Sequence, residues 1–242
     1  MISIVALSHA SPPSSANGQS LYGGVNTTST LASAVAFGSK IFNELGMTAY
    51  SATLLQSATE AWEWADSNPN VIWENNSSSY NSVGIGAGQQ ETDTYGRFAY
   101  KMRTAIHLYD ATNNSTYKTY TENNYQNIHM LLWNYTYPFE QENQEILLYY
   151  ASLPGVTTSV VSTIKNTYPN TMNSSNNFGG FTNETDPYLA NLTEYVWGSN
   201  GTKARKGLMF TDYVNSNINS ANNDNALKAA ERFIHYIQGI NP

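Results

Sequence analysis

A chain of 242 residues with 40% hydrophobic content has enough apolar material for one large core or two small ones, yet only 12% of it is charged and its formal charge is −7. The eleven Lys and Arg are scattered, which excludes a nucleic-acid phosphate backbone as partner. The absence of cysteine excludes a disulfide framework, a thiolate nucleophile and a Cys-containing zinc site.

The opening MISIVALSHA has an apolar stretch too short for a secretory signal and no basic residues before it. No later run approaches the roughly 18 apolar residues that cross a bilayer, so no membrane span is expected. His9 precedes a Pro-rich turn and is a candidate to face a binding groove. Helical spacing begins with Leu31, Ala34, Val35, Gly38, Ile41, Phe42 and Leu45, three and four residues apart. Thr27, Thr28 and Ser29 offer caps ahead of it, and Gly46 offers a stop.

A second helix follows through Leu54, Leu55, Ala58, Ala61, Trp62 and Ala65 and ends at DSNPN, because the residue before proline avoids helical geometry. Trp62 shares the Leu55 and Ala58 face and is expected in the core; Trp64 points elsewhere. Gly84, Gly86 and Gly88 lie in the next loop without dinucleotide-fingerprint spacing, a preceding strand or a following lysine. Phe98, Met102, Ala105, Ile106 and Tyr109 mark a third helix that stops at ATNNST.

Further helices are expected at about 117–131, 140–153, 157–166, 203–218 and 225–238. The segment NTMNSSNNFGGFTNETDP, residues 170–187, is the longest passage without a helical pattern, and a loop of that length carries function or moves. No linker demands a second domain. The expectation is a single all-α domain over residues 1–242, about eight helices arranged as successive hairpins in a toroid or solenoid.

Chemistry-bearing motifs are sparse. His9, His107, His129 and His235 show neither HExxH nor paired-His spacing, and no G-x-S-x-G elbow exists, so no metal and no cofactor are expected. His107 and His235 fall inside amphipathic helices and read as structural. Glu140, Glu142 and Glu145 cluster behind WNYTYPF and read as a solvated helix start, where carboxylates meet the positive end of the dipole. Asn-x-Ser/Thr acceptors open at Asn26, Asn75, Asn76, Asn113, Asn114, Asn134, Asn173, Asn183, Asn191 and Asn200. With so few charges on the surface, they suggest an extracellular glycoprotein.

Several passages, in order and spanning nearly the whole chain, resemble glycoside hydrolase family 9, the cellulases built on an (α/α)6 barrel. They are YGGVNTTSTLASAVAFGSKIF, YSATLLQSATEAWEWADSNPNV, GRFAYKMRTAIHLYDATNNSTY, YVWGSN and the closing FIHYIQGINP. The resemblance implies hydrolysis of β-1,4-glycosidic bonds by inversion, with two carboxyls roughly 6.5–9.5 Å apart. In the family the base lies in an Asp-Ala-Gly-Asp type motif ahead of the matched region, and the acid is a glutamate beyond the Gly-x-Asn-Pro string. Neither occurs here, so no catalytic residue is named. The expectation is that both lie outside these residues, in the remaining segments of the same polypeptide. The alternative is a non-catalytic carbohydrate-binding or structural assembly protein that reuses the fold.

A cellulose-type ligand offers flat apolar faces edged by hydroxyls, which calls for exposed aromatic rings with amide and hydroxyl neighbours. The candidates are Trp133, Tyr135 and Tyr137 in LLWNYTYPF, Tyr195 and Trp197 in TEYVWGSN, and His9. Asn200 either bonds a sugar hydroxyl or caps the next helix. The partner is a polysaccharide or oligosaccharide.

Overall fold

A computed structural model describes residues 25–70, 78–80, 83, 93–182, 188–191, 195 and 198–240. The described residues form ten α-helices with short 3-10 turns and no strand, as the all-α reading requires. The chain divides into two compact units, residues 1–121 and 122–242.

In the first unit, α1 (Val25–Glu44) packs against both α2 (Thr48–Ser67) and α3 (Thr94–Thr112). Small residues permit that closeness. Ala32 and Ala36 are fully buried, and a Cβ on Gly38 would lie 3.7 Å from Leu54. Helix α1 starts earlier than its expected caps, so Thr27, Thr28 and Ser29 lie inside its first turns. Tertiary contact explains this: Ser29 is buried, and its carbonyl accepts a 2.7 Å bond from the Thr104 hydroxyl of α3. Gly46 does close α1. Its φ is +78°, and the bonds Gly46 N to Asn43 O (3.0 Å) and Met47 N to Phe42 O (2.8 Å) form a Schellman motif.

Asp93 caps α3 by accepting from Gly96 N at 2.7 Å, and Asn113 ends it in the left-handed region. Trp62 is 8% exposed. Its ring meets Tyr117 and Tyr120 edge-on at 5.4 and 5.2 Å, so it belongs to the core as its helical face predicts. Lys101, paired with Asp66, places its ammonium 4.9 Å from the centre of the same indole.

The helix expected over 117–131 is three pieces: α4 (Ser115–Asn124), a 3-10 turn at Tyr125–Asn127 and α5 (His129–Leu132). Tyr125 and Ile128 are both buried, and Ile128 is extended, with φ −68° and ψ 133°. Seating both anchors breaks the regular turn.

The second unit continues with α6 (Gln141–Tyr150), α7 (Thr158–Met172), α8 (Phe178–Thr182), α9 (Ser199–Asn215) and α10 (Asn223–Gln238). Helix α7 passes through Pro169, beyond its expected end at Asn166. Proline removes one backbone bond there, and buried Met172 and Tyr168, whose hydroxyl donates to Met209 O at 2.7 Å, hold the extra turn in place. The described part of the passage expected to lack a helical pattern, residues 170–182, contains the last turn of α7 and all of α8. Phe178 of α8 reaches the core, edge-on to Phe210 at 5.0 Å and Tyr213 at 5.2 Å. Burying rings of this size is worth about 1.5–3 kcal/mol each. Gly239 ends α10 with the same two-bond closure as Gly46.

Candidate functional site

The loop from Trp133 to Phe139 joins α5 to the 3-10 turn Pro138–Glu140 ahead of α6. Its backbone path is set residue by residue. Trp133 closes α5, its N–H bonded to His129 O at 2.8 Å. Asn134 turns the chain with φ +52°, Tyr137 is extended, and Pro138 opens the next turn.

Alternation along that path gathers rings. Trp133 and Tyr137 stack with centroids 6.4 Å apart, Tyr135 and Tyr137 at 5.5 Å, and Tyr137 leans on Phe139 at 6.3 Å. Trp133 is 54% exposed and Phe139 56%. Large rings left in solvent beside polar neighbours form a surface suited to flat amphipathic ligands.

Two groups of side chains fix the loop. On one side, Glu140 accepts from the Tyr137 phenol, stands 2.5 Å from Nδ1 of His129 and receives Asn143 Nδ2 at 3.3 Å. Burial, followed by the hydrogen bond and the charge of Glu140, pushes the Tyr137 phenol well above its usual range, so it remains a donor. Gln144 Nε2 donates to Tyr137 O at 2.8 Å. On the other side, Asn177 is 1% exposed and its amide donates to Thr136 Oγ1 at 3.0 Å and Thr136 O at 3.3 Å. Asn176 Nδ2 donates to the Tyr135 hydroxyl at 2.8 Å.

The acidic cluster divides. Glu142 is exposed, 3.5 Å from Arg205, and Glu145 is exposed too, as a solvated helix start requires. Glu140 departs from that reading: it is half-buried and ties the loop together. The signal for it was weak, since a glutamate before a helix ordinarily serves the dipole.

The remaining candidates are Tyr195, Asn200, His9 and Trp197. Tyr195 is 67% exposed, with the buried Lys203 ammonium 5.0 Å from its ring centre. Asn200 is exposed within the first turn of α9; the cap is Gly198, with φ +76°, so the capping reading of Asn200 does not hold. His9 and Trp197 lie outside the described residues. Of the glycan acceptors, Asn113, Asn134 and Asn173 are exposed. Asn191 Nδ2 already donates to Asn176 O at 3.3 Å. Asn75, Asn183 and the side chain of Asn26 lie outside the described residues.

A separate hollow of about 270 Å³ opens in the second unit, lined by Glu145, Tyr149, Lys165, Asp212, Asn215 and Asn217 among others. Gln141 Nε2 bridges its two carboxylates, 2.8 Å from Asp212 and 3.0 Å from Glu145. Burial, and secondarily the charge of Glu145, raises Asp212 to about 7, against the lowering effect of the Gln141 bond. The described residues contain no group of three or more His, Asp or Glu able to hold a metal ion.

The sequence model of Glycosyl hydrolase family 9 matches residues 10–242. No curated protein matches the chain, and no solved structure does.

Proposed function

The chain belongs to glycosyl hydrolase family 9, and from that premise we propose that it serves a secreted, cellulase-like hydrolase of β-1,4-glucan. The family makes a polysaccharide the substrate class. The aromatic loop, through Trp133, Tyr135 and Tyr137, forms part of the sugar-binding surface, and Tyr195, Trp197, Asn200 and His9 belong to the same proposal. The observation that carries it is the row of linked, part-exposed rings from Trp133 to Phe139.

Hydrolysis proceeds with inversion, using a carboxyl acid and a carboxylate base supplied from outside these residues. Residues 1–242 act as one helical domain of the whole polypeptide. Export is supported by the low content of charged residues and by the exposed acceptors Asn113, Asn134 and Asn173. Among the described residues no helix is long and apolar enough to cross a membrane.

One observation favours a second reading, a non-catalytic carbohydrate-binding protein. The carboxylate that touches the aromatic loop, Glu140, is already engaged by Tyr137, His129 and Asn143, and a carboxylate so engaged is poorly placed to activate water. Reducing-end release from a soluble β-1,4-glucan, with the product anomer read by NMR, separates the two. The α-anomer appearing first from the full natural polypeptide supports the inverting hydrolase. Binding without release supports the second reading.

A further inference from the structure

We propose that His129 and Glu140 are a positioning pair for this sugar surface, holding the Trp133 indole from one side so that its exposed part meets a pyranose ring already oriented. The inference rests on reading loop 133–139 as sugar-binding. His129 lies under Trp133 with ring centroids 3.3 Å apart and planes 13° from parallel, so one indole face is covered from within the protein. The rotation of His129 is set in turn by Nδ1, 2.5 Å from Oε1 of Glu140. With Glu140 ionised, Nδ1 carries the proton.

Glu140 is itself held, by the Tyr137 phenol on Oε1 and Asn143 Nδ2 on Oε2. One carboxylate thereby fixes the support of Trp133 and the hydroxyl of the next ring in the row. The side chains of His129 and Glu140 are each 13% exposed while Trp133 is 54% exposed, so the pair acts through the indole. A loop indole without such a backing changes rotamer freely, and binding must then immobilise it; stacking it beforehand removes that cost.

The test uses the full natural polypeptide, cellotetraose as probe, and calorimetry alongside the ¹⁹F signal of 5-fluorotryptophan at position 133, assigned by its loss in Trp133→Ala. In His129→Ala the affinity falls about tenfold, the scale of losing an anchor's support, and the Trp133 resonance moves and broadens. His129→Phe, which restores a stacking ring, returns the affinity to within about threefold of the starting protein. Glu140→Gln, which keeps the shape and loses the charge, gives an intermediate loss and serves alone if His129→Ala does not fold.

Trp133→Ala abolishing binding, with His129→Ala and Glu140→Gln unchanged in affinity and resonance, overturns the positioning role. Trp133→Ala binding normally overturns instead the sugar-surface reading on which it rests.

Discussion

His129 and Trp133, four residues apart across the short helix α5, lie face to face with ring centroids 3.3 Å apart. One turn of helix places two rings on one side, and Glu140, eleven residues beyond His129, locks the lower ring from across the loop. The loop is thus fixed by long-range bonds that its own sequence does not advertise.

Two glutamates of one cluster should therefore behave differently on truncation. Glu140→Ala removes the carboxylate that the Tyr137 hydroxyl, His129 Nδ1 and Asn143 Nδ2 share in a part-buried setting, and the expected cost is about 2–3 kcal/mol. Glu142→Ala removes only an exposed contact to Arg205 at 3.5 Å, with an expected change of no more than about 0.5 kcal/mol. Paired urea denaturation curves measure both; equal losses would refute the distinction.

Asp212 sets a dependence of stability on pH between mildly acidic and neutral. Its folded-state value of about 7 lies above the ordinary 3.8 because burial disfavours the charge and Glu145 adds repulsion. A group raised on folding contributes stability that is complete below its unfolded value and is lost as pH rises through its folded one. The protein should lose stability between about pH 4 and 7 on this account, by an amount on the order of a few kcal/mol. In Asp212→Asn, which keeps an acceptor for Gln141, that loss is absent, and melting temperatures across the range decide it.

His107 works in the opposite direction. Burial is the largest influence and Arg103 and Lys40 add repulsion, so despite Asp110 the imidazole falls from 6.5 to about 4. It sits 5.0 Å from the ring of Phe37. A base lowered on folding contributes stability that is present above its unfolded value and disappears as pH falls through the folded one. Between about pH 6.5 and 4 the first unit should weaken. His107→Leu, having no proton to gain, should show a shallower acid transition by near-ultraviolet circular dichroism.

Most of the helices were legible because burying one face demands a spacing of three and four, visible from Leu31 to Leu45 and from Leu54 to Ala65. Gly46 was legible because only a left-handed residue closes such a helix cheaply. What escaped depends on distant partners. The start of α1 is held by Thr104, 75 residues away from Ser29, and the turn at Tyr125–Asn127 follows from the burial of Tyr125 and Ile128. Trp133 and Tyr135 stood out as loop aromatics. The residues that orient the loop did not: Asn177 reaches Thr136 across 41 positions, and one asparagine in an Asn-rich run carries no mark of that role.

The same clamp yields a last prediction, at Gly180 in α8. A Cβ built there would stand 2.1 Å from Nδ2 of Asn191 and 2.4 Å from the carbonyl oxygen of Ser175. The amide is a side chain and can swing away, breaking its bond to Asn176 O, but the carbonyl is backbone, so the Ser174–Asn177 turn must shift with it. That turn carries Asn176 and Asn177, which hold Tyr135 and Thr136. Gly180→Ala should therefore cost about 1–3 kcal/mol as overpacking and also disturb the aromatic loop. Backbone amide resonances of residues 134–137 should move by more than those of α10 residues 226–230, and a spectrum changed only around position 180 would break the proposed link between clamp and loop.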